Sequence, residues 1–227
     1  MRVRWFGQSS YLLTGEHTVF IDPFGEMSTA AARGLQFDYP PIEGVEAELV
    51  LVTHEHFDHS GGVDAIGGSP VVLRSTAGTL ESPLGEVVAI NAEHDATAGT
   101  SRGPNTIFCF TLDGLRVSHL GDFGQEGLRP EQREAIGEVD VLFVPVGGGP
   151  TIGGADAAEL VRSLAPRLVV PMHYRTEAVN FLDPPDEFLD ALGARVERLD
   201  ESEAEVDGLL GTREDPVAVL FAPPLQA

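Results

Sequence analysis

Short apolar runs separated by turn-forming residues recur along the whole chain. The runs at residues 3–6, 11–13 and 19–21 are punctuated by glycine-containing turns and predict an opening β-meander. The run at 49–52 is apolar at every position, which is typical of a strand buried on both faces. Later apolar runs predict further strands at residues 71–73, 87–90, 106–112, 115–119, 139–144, 168–170 and 217–221.

Helices are predicted between the later strands, at residues 129–136, 155–164 and 185–192. The last of these begins near Asp183-Pro184-Pro185-Asp186, where an acidic residue suits the first helical turn. Residues 23–48 contain a Pro-Pro pair and several glycines, and we interpret them as a loop over a site. Because the sequence has no repeat, low-complexity tract or linker, it predicts one mixed α/β domain over residues 1–227.

The charge balance narrows the range of partners. The chain carries 36 acidic against 14 basic residues, a formal net charge of −22. Such a surface repels polyanions, which argues against nucleic acid or an anionic membrane as a partner. Every basic residue is Arg, so the sequence excludes a Schiff-base lysine and a P-loop lysine. An anionic group of a substrate must then be bound by Arg or by backbone N–H groups.

Cys109 is the single cysteine, so an internal disulfide is excluded and a reducing compartment is favoured. It lies in an apolar run, which indicates a core residue rather than a nucleophile. The N-terminal apolar run is interrupted at Gly7 before it reaches the length of a signal-peptide core. Since no segment approaches about 18 apolar residues, the sequence predicts a soluble cytoplasmic protein.

Four ligand-type residues occupy six positions directly after the buried run at 49–52: His54, His56, Asp58 and His59. In an extended segment, residues two apart point to the same side, so His54 and His56 can converge on one ion. Asp58 and His59 lie further on and are better placed for a second ion. Imidazoles and a carboxylate suit Zn²⁺, and Mn or Fe is compatible with them. Three imidazoles are too polar to be gathered here for packing alone.

One segment cannot complete two coordination shells, so other strand ends must supply ligands. His94, Asp122 and His173 each follow an apolar run closely. If those runs are strands, all three residues lie at the same edge of the sheets as the first cluster. This shared placement predicts that they complete a two-metal centre.

With Asp22, these residues resemble the five successive motifs of the metallo-β-lactamase superfamily over nearly the whole chain. The chain is more closely similar to a branch of small single-domain hydrolases that includes L-ascorbate-6-phosphate lactonase-like enzymes. The segments that carry this similarity are Trp5-Phe6-Gly7-Gln8-Ser9-Ser10, Ile21-Asp22-Pro23-Phe24, Arg102-Gly103-x-Asn105-Thr106, His119-Leu120-Gly121-Asp122 and Pro171-Met172-His173-Tyr174. The resemblance implies a four-layer αββα sandwich with metals at one edge between the sheets.

The resemblance also implies a distribution of ligands. One ion is bound by His54, His56 and His94, the other by Asp58, His59 and His173, and Asp122 bridges them. Asp22 is expected to support a ligand histidine through a hydrogen bond. His119 is expected to support the site or the core rather than bind metal. Gln8 stands where many relatives carry His, which leaves the role of that position open.

Two glycine-containing motifs suggest other chemistry but lack its context. Residues 99–103 match the G-x-S-x-G pattern, yet they lead through Pro104 into a predicted strand, whereas a nucleophile elbow opens a helix. Gly147-Gly148-Gly149 has no phosphate-binding lysine. We interpret the first as a loop near the site and the second as a tight turn beside it or a close approach to substrate.

Two adjacent cations lower the pKa of a bridging water, so hydroxide is available near neutral pH to attack a carbonyl carbon or a phosphorus. Asp58 is the candidate to orient this nucleophile or relay its proton. Arg102, Tyr174 and Arg175 lie beside the predicted ligands and are candidates to bind the substrate or its developing anion.

The sequence therefore predicts a metal-dependent hydrolase that acts on an ester, lactone or phosphoester of a small molecule. A phosphodiesterase is an alternative within that class. A mononuclear iron oxidoreductase on the same fold is an alternative outside it, disfavoured because its electron-transfer members replace the second motif histidine, here His56, by Glu. A catalytically idle binding protein is the third, and homo-oligomerisation stays open.

Overall fold

The computed structural model describes residues 1–27 and 34–224. Its first sheet has six strands: β1 (Arg2–Gly7), β2 (Ser10–Thr14), β3 (Thr18–Ile21), β4 (Leu49–Val52), β5 (Val71–Arg74) and β13 (Glu203–Glu205). Their spatial order is β13-β1-β2-β3-β4-β5. The predicted meander β1–β3 is antiparallel, whereas β4 runs parallel to both β3 and β5.

The second sheet has eight strands: β6 (Gly78–Ser82), β7 (Gly85–Glu93), β8 (Pro104–Leu112), β9 (Leu115–His119), β10 (Val141–Pro145), β11 (Leu168–Met172), β12 (Arg195–Arg198) and β14 (Val217–Leu220). Their order is β12-β14-β11-β10-β9-β8-β7-β6. Strands β9, β10, β11 and β14 are parallel, and β6–β9 form an antiparallel series. The carboxyl ends of β7, β9 and β11 therefore meet at one edge.

The described residues form four α-helices, α1 (Phe57–Ser60), α2 (Pro130–Ile136), α3 (Gly154–Leu164) and α4 (Asp186–Leu192), and 3₁₀ turns at Val63–Ala65 and Asp207–Leu209. Helix α2 begins at a proline, whose fixed φ suits the first helical position. The Gln132 side chain accepts a hydrogen bond from the backbone N–H of Arg129 at 2.9 Å and caps this helix. Helix α3 buries the apolar face that contains Ala157, Leu160 and Val161.

Successive side chains along the strands of the first sheet point to opposite faces, and both faces are covered by apolar clusters. One face, with Leu13, Ile21 and Leu51, packs against the second sheet in the main core. The opposite face, with Phe20 and Val50, belongs to a second apolar cluster. Residues of the irregular segments that cover this face complete that cluster. Helices α3 and α4 contribute to the main core from the outer side of the second sheet. The result is the expected α/β sandwich of two sheets with outer helical layers.

The predicted strands and helices are present, with bounds shifted by a few residues. Strands β6, β12 and β13 and the single-turn helix α1 are additional. The loop predicted for residues 23–48 is present over 23–27 and 34–48, apart from isolated bridges at Phe37 and Glu46. Residues 28–33 lie outside the described part. Cys109 is fully buried in the main core, and burial raises its pKa to about 11. No helix in the described ranges is long and apolar enough to cross a membrane.

Candidate metal centre

Five strand ends deliver polar side chains to one edge between the sheets. Asp22 follows β3, and Thr53 and His54 follow β4 directly. From the second sheet, His94 follows β7, Asp122 lies three residues after β9 and His173 follows β11. These six side chains are almost fully buried, whereas those of His56 and Asp58 are more exposed. The sequence folds this way because each ligand comes directly after an apolar run that the core holds in place.

The structure brings all seven predicted ligands together. Their ligand atoms form three groups in which the atoms lie within 4.8 Å of one another: His54, His56 and His94; His54, His59 and Asp122; and Asp58, His59 and His173. The distance from His54 Nε2 to His56 Nδ1 is 3.0 Å. Residues from both sheets thus form one continuous cluster.

The Asp122 carboxylate lies between the two predicted ligand sets. Its Oδ2 is 3.2 Å from His94 Nε2 and 3.2 Å from His173 Nε2. Its Oδ1 is 3.3 Å from His59 Nε2. One carboxylate therefore reaches imidazoles of both sets, which is the arrangement expected of a bridging ligand.

The donor set fits metal ions. A nitrogen and a carboxylate oxygen at about 2.0–2.1 Å from one tetrahedral zinc lie roughly 3.3 Å apart, close to the N–O separations around Asp122. His59 Nε2 is buried and has no hydrogen-bond partner among the described residues. A buried unpaired nitrogen costs free energy, and a cation would satisfy it. Imidazole and carboxylate together are ligands of Zn²⁺, Mn and Fe.

Asp22 supports the centre from behind. Its carboxylate accepts hydrogen bonds from the Thr53 backbone N–H at 2.8 Å and the Thr53 hydroxyl at 2.7 Å. Asp22 Oδ2 also accepts from His59 Nδ1 at 2.8 Å. Because Nδ1 carries the proton, His59 presents Nε2 to the cluster. Thr53 Oγ1 lies 3.1 Å from His54 Nδ1, so the network reaches a second ligand.

His119 is not part of the ligand groups. Its Nε2 donates to the Ser9 carbonyl at 3.1 Å, and its Nδ1 accepts from the Gly121 N–H at 3.2 Å. Burial lowers the pKa of His119 to about 4, so the ring is neutral at physiological pH. The Ser9 hydroxyl lies 3.4 Å from Asp122 Oδ1, which connects His119 to the site through one residue.

Two supporting contacts were not anticipated from the sequence. The Asn105 side chain accepts from the Asp122 backbone N–H at 3.1 Å and donates to the Leu120 carbonyl at 2.7 Å, which shapes the loop after β9. His94 Nδ1 lies 3.0 Å from the Pro150 carbonyl and donates to it. The place of Asn105 in one of the family-like segments could have indicated its role. The Pro150 contact uses a backbone carbonyl, which has no side-chain signature in the sequence.

Opposing charges dominate the electrostatics of the centre. Burial lowers the pKa of His54 well below its usual range, and the neighbouring His59 lowers it further. Burial disfavours a charged His59, but Asp122 and Asp58 raise the pKa of that ring well above its usual value. Burial would raise the pKa of Asp122, yet the rings of His173 and His59 hold it well below its usual range. The carboxylates therefore favour positive charge within the centre.

The three predicted substrate contacts occupy different environments. Arg102 is exposed, and its backbone N–H donates to Asp95 Oδ2 at 2.7 Å in the loop after β7. Arg175 is exposed, and its Nε donates to the Leu182 carbonyl at 2.6 Å. Tyr174 is buried in the main core, with its ring 5.6 Å from that of Trp5. A role in substrate binding stays a prediction for all three.

The glycine motifs have structural roles. Residues 99–103 form turns that lead into β8, with no helix after them, so they are not a nucleophile elbow. At Gly147 an added Cβ would lie 2.2 Å from the His173 carbonyl oxygen. The triplet that begins there is thus a tight turn that allows the backbone to approach His173.

Comparison with known proteins agrees with this geometry. The chain matches the model of the β-lactamase superfamily domain over residues 2–173. It is 32% identical to the UPF0173 metal-dependent hydrolase of Thermococcus kodakarensis over 219 residues, which covers 87% of this chain and 94% of the relative. It is also 32% identical to the Pelotomaculum thermopropionicum member over 223 residues, with 86% and 92% covered.

A solved structure from Thermotoga maritima, assigned as a Zn-dependent hydrolase of the metallo-β-lactamase superfamily, is 30% identical. It superposes with a TM-score of 0.74 and covers 96% of this chain and 97% of that one. Fold and site together define a metallo-β-lactamase-type enzyme with a metal centre at the edge of two packed sheets. The chain belongs to the metallo-β-lactamase superfamily and, within it, to the UPF0173 family of metal-dependent hydrolases.

Proposed function

We propose that the centre holds two cations, with zinc as the physiological metal and Mn or Fe as substitutes. His54, His56 and His94 would hold one ion, Asp58, His59 and His173 the second, and Asp122 would contact both. The observation that carries this proposal is the position of Asp122, whose carboxylate lies 3.2–3.3 Å from imidazoles of both sets. A mononuclear iron site would leave the second set without a role.

The proposed reaction is hydrolysis. When bound, the two cations acidify water and polarise the target oxygen. Asp58 is a partly exposed member of the cluster, with Oδ2 3.7 Å from His59 Nε2. It is therefore placed to orient the attacking water and to carry its proton toward the leaving group. Catalysis by the chain then consists of positioning, proton transfer and exclusion of bulk water.

We propose a small molecule as the substrate, with a carboxylic ester or lactone first and a phosphoester second. The net charge of −22 disfavours nucleic acid and anionic membranes as partners. Within the described residues, neither Arg102 nor Arg175 is in an ion pair, although 36 acidic residues are available to the chain. Exposed guanidinium groups without a carboxylate partner, close in sequence to the proposed ligands, suit an anionic substrate such as a phosphorylated lactone. The single cysteine, Cys109, is buried and has no second cysteine in the chain to pair with, which is consistent with the proposed cytoplasmic location.

The first test is metal analysis combined with a substrate panel. Protein purified without added metal is analysed for metal content and then assayed, after reconstitution, on lactones, thioesters, phosphomonoesters and phosphodiesters. The proposal expects about two Zn or Mn per chain and turnover of at least one ester class. One Fe per chain, or full activity in metal-free protein, would contradict it.

Two substitutions link metal to turnover. We expect His56→Ala and Asp122→Ala to lose bound metal and activity together. His17→Ala is the matched control, because the His17 ring lies at the surface, outside the ligand groups, and pairs with Glu48 at 3.2–3.3 Å. Activity of Asp122→Ala at the wild-type level would show that the centre is not the catalytic site.

A further inference from the structure

Besides His59 Nε2, which faces the proposed metals, two buried groups beside the metal centre have no hydrogen-bond partner among the described residues. They are the side-chain amide of Gln8, at both its oxygen and its nitrogen, and Nδ1 of His173. Both residues are only 1% exposed, so solvent does not reach these atoms. Since buried polar groups are almost always paired, the two unpaired groups call for a common explanation.

The backbones of the two residues are in contact. The His173 N–H points to the Gln8 carbonyl oxygen, with an N–O distance of 3.5 Å. The same carbonyl accepts a hydrogen bond from Trp5 Nε1 at 3.0 Å. Both residues have left-handed backbones, with φ of 49° at Gln8 and 52° at His173. A non-glycine residue is uncommon there, and strained backbone is concentrated at functional sites.

The chemistry of His173 requires an acceptor. Its Nε2 lies 3.2 Å from Asp122 Oδ2 and is therefore the nitrogen that faces the metals. A neutral imidazole that binds metal through Nε2 carries its proton on Nδ1. Two other ligands already have partners for that proton.

Those partners are the Asp22 carboxylate for His59, at 2.8 Å, and the Pro150 carbonyl for His94, at 3.0 Å. Metal-binding histidines almost always donate their second N–H, which fixes the tautomer and the ring orientation. His173 Nδ1 has no such partner. The side-chain amide of Gln8 also has none, and the Gln8 backbone is in contact with the His173 backbone.

We propose that Gln8 is the positioning residue of His173: its side-chain oxygen accepts the Nδ1–H of His173 and holds Nε2 toward the metals. The bond requires the Gln8 side chain to turn, because neither its amide nor His173 Nδ1 has a partner in the present arrangement. Gln8 does not touch the reacting atoms and acts only through His173. The inference rests on the two-cation site of the proposed function.

Three variants test this role. Gln8→Met removes the acceptor but keeps the length of the side chain. Gln8→Glu keeps an acceptor. Gln36→Met is the matched control, because Gln36 bonds to Asp38 and to the Glu177 carbonyl in a loop outside the ligand set.

The first readout is release of zinc to a chelator from the loaded protein. We expect Gln8→Met to release one zinc per chain about 10–100 times faster than wild type, and Gln36→Met to match wild type. Gln8→Glu should release zinc no faster than wild type, because a carboxylate is the stronger acceptor. If Gln8→Met does not fold, faster release from Gln8→Glu is sufficient to overturn the proposal.

The second readout is the Nδ1–H resonance of His173 in ¹⁵N NMR spectra of the zinc-loaded protein, assigned with a His173→Gln variant. It should be protected from exchange in wild type and Gln8→Glu and lost to exchange in Gln8→Met. Unchanged zinc release and an unchanged resonance in Gln8→Met would overturn the proposal, as would an effect confined to KM. Neither readout needs turnover, so a failed substrate panel leaves this test intact, and failure of wild type to retain zinc refutes the proposed function instead.

Discussion

Asp22 Oδ2 accepts the Nδ1 proton of His59 at 2.8 Å, although the two residues are 37 positions apart and follow different strands. The same carboxylate accepts two hydrogen bonds from Thr53, so it has little freedom to turn. Asp22 itself holds a left-handed backbone, with φ of 49°. The position of His59 is therefore set by a residue outside the candidate ligand groups.

Asp22→Asn should weaken metal binding. An amide cannot accept at both of its ends, so either His59 or Thr53 loses its partner. We expect affinity for zinc to fall by about 10–100-fold, measured by competition with a chromogenic chelator. Asp64→Asn, on an exposed aspartate of the 3₁₀ turn, is the control and should match wild type. Equal zinc affinity in all three proteins would show that Asp22 does not position His59.

The sequence predicted those parts of the centre in which a ligand-type residue closely follows an apolar run. His54, His56, Asp58 and His59 follow one buried strand, so their proximity follows from chain connectivity. His94, Asp122 and His173 lie far apart in sequence, but each follows an apolar run. Because parallel strands present their carboxyl ends at one edge, placement alone indicated that they meet.

The remaining contacts depend on tertiary structure. The carbonyl of Pro150 that receives His94 has no side-chain signature in the sequence. The same applies to the contact between the Ser9 carbonyl and His119. Strands β12 and β13 are short and carry charged residues at most positions, so their apolar pattern is too weak to predict them. Pairing with β14 and β1 forms them instead.

His119 should make folding stability depend on pH. Its pKa is lowered to about 4 by burial, whereas an unfolded histidine titrates near pH 6.5. Between these values the unfolded chain binds a proton that the folded chain does not, so stability is present above about pH 6.5 and is lost as pH falls toward 4. The shift corresponds to a loss of about 3 kcal/mol across that window.

The measurement is urea denaturation of wild type and His119→Gln at pH 7.5 and pH 5, both treated with chelator so that metal release does not contribute. His119→Gln should be less stable at pH 7.5, because the imidazole ring that packs against Tyr11 and Phe143 is lost. The difference between the two proteins should shrink at pH 5. A difference independent of pH would contradict a neutral buried ring.

Arg102 and Arg175 should affect binding of anionic substrates rather than the chemical step. We expect Arg102→Gln and Arg175→Gln each to raise KM about tenfold, which is about 1.4 kcal/mol, with kcat within about twofold for an anionic substrate found in the panel. KM for a neutral ester should not change. Arg195→Gln is the control, because Arg195 lies on β12 and pairs with Glu197 at 3.5 Å. Equal effects on neutral and anionic substrates would indicate loop disruption instead.

Glu81 on β6 lies directly opposite Glu86 on β7 in an antiparallel pair, and both side chains are exposed. Like charges in that register repel, and the net charge of −22 adds to the repulsion. Glu81→Lys converts the pair into an attractive one and should stabilise the fold by about 0.2–1 kcal/mol, read as a higher Tm at low salt.

Glu214→Lys changes the net charge equally without this cross-strand partner, so it isolates the contribution of the pair. The advantage of Glu81→Lys over Glu214→Lys should fade between about 0.05 and 0.5 M NaCl, because salt screens exposed charges. Equal Tm values for the two variants at low salt would mean that net charge, and not the register of β6 and β7, limits stability.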